Sequence, residues 1–209
     1  MKKMLAAQIT AFIILGGVFG ALAINEGVYE TVQETIVNVL CLSCLKLTPT
    51  NDLNFTFSTA NGEDHPSFIV ENLSKGVVFL VFRADVCAAC DIMEPSVQEI
   101  FDVDFEKEDT VMKTIQVNDV NVTLLHINID HSPQQLIDLY DIYDQHHIGG
   151  VPMFTVISYG YNRGTVLPIY ATGYGTLQGE TSQEQQQALE NMIFEGTLLY
   201  TQNHHGSHH

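Results

Sequence analysis

Residues 76–95 read GVVFLVFRADVCAACDIMEP. From Val77 to Phe82 the run is continuously apolar and rich in Val and Phe, as a central strand covered on both faces would be. Two cysteines follow, Cys87 and Cys90, and Pro95 stands five residues after the second. Such a pair serves a metal clip, a structural disulfide or a reactive dithiol. The spacing predicts a helix over residues 87–101 that begins at the first cysteine. Its first-turn N–H groups have no intrahelical partner, and the dipole places partial positive charge there. A thiolate at Cys87 is therefore favoured relative to a free thiol, whose pKa is about 8.5. Cys90, one turn later, is the more buried and is placed to attack a mixed disulfide on Cys87. Asp85 is a candidate cap for the helix; its charge and those of Asp91 and Glu94 oppose the thiolate and moderate the effect. A four-ligand zinc site would draw on Cys41 and Cys44, but zinc knuckles normally occupy tight turns rather than helices. An inert Cys87–Cys90 bridge closes too short a loop to constrain many unfolded conformations.

The segments around this stretch alternate between two periodicities. LNFTFST, residues 53–59, alternates Leu53, Phe55 and Phe57 as a half-buried strand does, and HPSFIVENLSKG, 65–76, reads as a short helix stopped at Gly76. Residues 105–121, FEKEDTVMKTIQVNDVN, are polar and charged and read as an insertion. VTLLHINID, 122–130, is a second buried strand, and a helix with Pro133 at its start follows. Asp138, Asp141 and Asp144 recur along that helix as a solvated face. VPMFTVIS and TVLPIYATGY form an antiparallel pair joined near Gly160 and Gly164, and residues 182–200 a last amphipathic helix. The order after residue 50 is β-α-β-α-β-α-β-β-α, an α/β sheet with helices on both faces.

Three pieces in this order carry a family resemblance. FLVFRADVCAACDIMEP resembles the active-site strand, CxxC and proline of the thioredoxin-like superfamily. LLHINIDHSPQQLIDLYDIY is similar to its next strand and helix, and HHIGGVPMFTVI to its cis-proline strand. The resemblance implies a thioredoxin fold, a central mixed sheet flanked by helices, over residues 51–199. It also implies Cys87 as attacking thiol, Cys90 as resolving thiol and Pro152 as a cis proline beside them, leaving the Val151 backbone to pair with an extended client. There are departures. Val86 replaces the usual tryptophan, Ala88-Ala89 the Gly-Pro dipeptide, and Val81 the buried aspartate of cytoplasmic thioredoxins. Without that acid, proton transfer at Cys90 must use water or a substrate group.

Ahead of the domain, Leu5 to Ala23 is a run of 19 uncharged residues behind Lys2 and Lys3. It reads as a transmembrane anchor or a cleaved signal peptide, residues 1–23, with the remainder exported. Residues 24–50 read as an amphipathic helix carrying Cys41 and Cys44 on one face, a possible second redox pair. Residues 200–209 read as a disordered tail or tag. With 25 acids against 8 bases and a net charge of −17, nucleic acid is excluded as a partner. Four cysteines in two tight pairs suit an oxidising compartment. The expected function is an extracytoplasmic protein thiol–disulfide oxidoreductase that needs no cofactor or metal. Its partners would be protein thiol or disulfide clients, an integral-membrane redox protein and, through the N-terminal helix, the membrane. The alternatives are a non-catalytic binding module of a membrane complex, or a copper- or zinc-binding relative that uses the dithiol with His146 or His147.

Overall fold

The computed structural model describes residues 55–60, 64–144, 147–162, 165–177 and 179–204. Segments 1–23 and 24–50, including Cys41 and Cys44, lie outside the described residues. Among the described residues no helix is long and apolar enough to cross a membrane.

The elements run α1 (Ser67–Leu73), β1 (Val77–Arg83), α2 (Ala88–Phe101), β2 (Val111–Val117), β3 (Val120–Asn128), α3 (Gln134–Tyr143), β4 (Met153–Asn162), β5 (Thr165–Tyr174) and α4 (Ser182–Asn203). They form one five-stranded mixed sheet in the order β2-β3-β1-β4-β5. β1 and β3 are parallel, with Val81 opposite His126, and β4 runs antiparallel to β1, with Phe82 opposite Met153. This is the central mixed sheet flanked by helices that the resemblance implies. β1 is buried along its whole length because it is covered on both sides. On one face Phe79 stacks on Phe101 of α2 at 5.7 Å and on Phe154 of β4 at 6.4 Å. α4 packs against α2 and β4 on that face. On the other, Phe82 meets Tyr140 of α3 edge-on at 5.5 Å. Each of these rings contributes roughly 1.5–3 kcal/mol by leaving water, so the sheet centre is the firmest part of the frame.

Three expectations are corrected. Residues 55–59 do not form the strand expected over 53–59. From Phe55 onward the segment makes a single bridge, Ser58 to Tyr170, and the Phe55 N–H donates to Glu195. Phe55 and Phe57 pack on the core, so their alternation reports burial rather than strand pairing. The edge beside β3 is instead filled from the polar segment 105–121, which contains β2 and folds back through Asn118-Asp119. Both turn residues have positive φ, 51° and 63°, as a tight hairpin turn requires. The charges at 106–109 and Lys113 mask the half-buried alternation of Val111, Ile115 and Val117. Finally, α4 continues to Asn203, whose side-chain amide donates to the Tyr159 carbonyl at 3.0 Å. Residues 200–203 therefore belong to the domain and not to a tail.

Candidate active site

Cys87 and Cys90 form a disulfide where β1 passes into α2. Cys87 is the N-cap in extended conformation, and its Sγ accepts the Cys90 N–H at 3.1 Å. The cap is thus the sulfur itself, and Asp85, the expected cap, is engaged elsewhere. Its carboxylate accepts from Asn128 Nδ2 at 2.9 Å and lies 2.8 Å from His131 Nε2, while its N–H donates to Asp130. The Asn128 bond and then His131 hold the Asp85 carboxyl below the usual range. This clasp fixes the loop that delivers Cys87. Cys87 shows an exposed edge of 9%, whereas Cys90 is sealed at 1%. Val86, the residue before Cys87, is 98% exposed.

Pro152 immediately precedes β4 at the same end of the sheet, since Phe82, five residues before Cys87, pairs with Met153. The Val151–Pro152 peptide is cis, the isomer that the resemblance implies. The Pro152 carbonyl is taken by the Gly175 N–H at 2.9 Å. Among the described residues, no hydrogen bond engages the Val151 backbone.

The loop before Pro152 is held by Asp144, which is not part of a solvated face. It ends α3 and is buried, accepting from the Ile148 and Gly149 N–H groups, each at 2.9 Å, and from the Tyr174 hydroxyl at 2.5 Å. The Tyr140 hydroxyl donates to the Gly150 carbonyl, and burial followed by the Asp144 charge pushes its pKa up to about 12. Burial pushes the Asp144 carboxyl up, but the Tyr174 bond and the two N–H donors outweigh it and leave the pKa low. Asp144→Asn turns one acceptor into a donor facing donors, and we expect it to cost about 2 kcal/mol near neutral pH. A carboxyl whose pKa is lowered by folding stabilises above its unfolded value, about 3.9, and loses that contribution as pH falls through the folded value. The deficit of the variant in chemical denaturation should therefore shrink below about pH 4.

Below the first turns of α2 lies a charged cluster that no spacing rule singled out. Arg83, at the end of β1, is fully buried; its guanidinium donates to Glu94, to Asp91 at 3.3 Å and twice to the Ala84 carbonyl. His126, also fully buried, sets Nε2 3.4 Å from Glu94 Oε1. Asp91 and Glu94 therefore answer to Arg83 rather than standing as bare charges against Cys87. The available signal was one basic residue in each of two largely apolar strands, with Asp91 and Glu94 on the helix in the turn after Cys90. Among the described residues no three His, Cys, Asp or Glu side chains gather as metal ligands. His147 is exposed, and His146 lies outside the described residues.

Two solved structures align with the chain. One is a mutant thioredoxin from Halobacterium salinarum NRC-1, at 20% identity over 64% of this chain and 87% of that one, with a TM-score of 0.35. The other is the Malassezia sympodialis thioredoxin (Mala s 13), at 18% identity over 60% of this chain and 85% of that one, with a TM-score of 0.33. No protein-family model and no curated protein matches.

Proposed function

We propose that this chain is a thioredoxin-like protein thiol–disulfide oxidoreductase acting outside the cytoplasm. The observation that carries the reading is the asymmetry of the disulfide. Cys87 caps α2 and keeps 9% exposure, while Cys90 is sealed at 1%. A client thiolate attacks Cys87 Sγ and the S–S bond breaks with Cys90 as leaving group. The client's second thiolate then expels Cys87, leaving the client oxidised by two electrons and the pair as a dithiol. With a client disulfide the same steps run in reverse. The first-turn N–H groups of α2 favour the Cys87 thiolate in either direction. An extended client would run along the unengaged Val151 backbone.

The uncharged run at Leu5–Ala23 and the paired cysteines support a membrane-tethered, exported placement. An integral-membrane redox protein would reset the dithiol, with Cys41 and Cys44 relaying electrons between them. The test is insulin reduction by the full-length protein in detergent, with and without Cys87→Ser. Activity that does not depend on Cys87 would favour a binding module. Cys41→Ser/Cys44→Ser should leave a single turnover unchanged but slow recycling by the membrane partner severalfold. Unchanged recycling would remove the relay.

A further inference from the structure

The buried cluster beneath α2 holds more ionisable groups than packing requires, and its hydrogen bonds locate a proton. His126 Nδ1 lies 2.8 Å from the Asp109 carbonyl oxygen, which can only accept, so Nδ1 carries a hydrogen. Nε2 faces Glu94 Oε1 at 3.4 Å, and an ionised carboxylate also only accepts. A hydrogen bond there needs one more proton, on Nε2 or on the carboxyl. The groups around it are few. Arg83 of β1 donates to the same Glu94 oxygen, and Asp91 of α2 takes the other side of the guanidinium. The Phe105 ring covers the imidazole at 4.2 Å. From β2, Val111 is the residue paired with His126, and the Asp109 carboxylate is turned to the Glu106 N–H.

Glu94 is four residues after Cys90 on α2, which places the two side chains as neighbours on one helix face. Cys90 is sealed from solvent, whereas the Glu94 side chain keeps 16% exposure. Cys90 has no direct route to bulk water, and Glu94, one helical turn further on, keeps an exposed edge.

We propose that Glu94 and His126, fixed by Arg83, form the proton relay for Cys90. When a client thiolate attacks Cys87 and the S–S bond breaks, the electron pair stays on Cys90 Sγ, which takes the proton shared by Glu94 and His126. The pair then reloads from solvent through the exposed edge of Glu94. In the reverse direction Cys90 gives its proton to the unloaded pair as it attacks the mixed disulfide. The inference rests on the oxidoreductase reading, and these are positioning and relay residues rather than groups in contact with a client.

The test is the rate of reduction of the Cys87–Cys90 disulfide in the full-length protein by dithiothreitol, expressed per thiolate, across pH. The native rate per thiolate should fall as pH rises. Glu94→Gln should be slower by at least about tenfold near pH 6, a modest share of what acid–base assistance supplies, and flat with pH. His126→Asn keeps a donor for the Asp109 carbonyl but removes the ionisable nitrogen, and should flatten the profile in the same way. Should either variant fold poorly, the other decides. Native-like rates and an unchanged profile in a folded variant overturn the relay. Dithiothreitol reduces the disulfide whether or not proteins are clients, so a flat native profile beside Cys87-dependent insulin reduction sinks the relay alone. A failed insulin assay sinks the parent reading alone.

Discussion

Cys87→Ser abolishes exchange with protein disulfides, lowering the rate by at least about a thousandfold, while the fold survives. Serine offers no anion near neutral pH, and the remaining thiol, Cys90, is 1% exposed against 9% for Cys87, so it cannot stand in as the attacker. Stability changes little, because a bridge between residues three apart constrains few unfolded conformations. The paired variant behaves differently. Cys90→Ser keeps the reachable sulfur and loses the group that releases the client, so a covalent Cys87–client complex accumulates. Non-reducing electrophoresis after mixing the reduced protein with a disulfide-bonded client separates the cases, with a trapped complex for Cys90→Ser and none for Cys87→Ser. Equal behaviour of the two variants would contradict the division of labour between nucleophile and resolving thiol.

Arg83→Met should cost about 3 kcal/mol. Removing one partner of a buried ion pair costs roughly 3–5 kcal/mol because the other charge is left uncompensated. The lower figure applies here because the Asp91 side chain is 62% exposed and Glu94 keeps a solvent edge. The Ala84 carbonyl also loses both guanidinium donors. For a domain of this size the loss lowers Tm by roughly 10 °C. The double variant Arg83→Met/Glu94→Met should recover at least half of the deficit, since two apolar side chains of similar volume replace the pair without stranding a charge. Calorimetry on wild type, both single variants and the double variant reads this directly. Deficits that simply add would show that Arg83 acts through packing rather than through Glu94.

The sequence shows most clearly where the chain obeys one periodicity. Val77–Phe82 could only be a covered strand, the 3.6-residue pattern of the last helix is continuous, and the CxxC marks a strand-to-helix junction. β2 was hidden because its inner row includes Lys113, whose ammonium reaches the Asp102 carbonyl, and because charges precede it. The alternation of Phe55 and Phe57 misled in the opposite sense, since both pack on the core while their segment makes a single bridge, Ser58 to Tyr170. At the site, the cysteines and Pro152 are visible from spacing and resemblance, but Asp144 and the Arg83–Glu94–His126 cluster are not. Their roles depend on which face of α2 meets β1 and β3, and on a loop returning to the end of α3. Asp144 even falls in register with exposed aspartates, and only the backbone N–H groups of Ile148 and Gly149 distinguish it.

The central claim is that Cys87 and Cys90 form a reversible, reachable redox pair rather than a structural staple. Equilibrating the full-length protein with glutathione buffers and following the Cys87–Cys90 peptide by mass tests it most directly. The account predicts a single two-electron transition with a midpoint inside the range of exchange enzymes, about −120 to −270 mV. A bond still closed below about −300 mV, where structural disulfides lie, would contradict it.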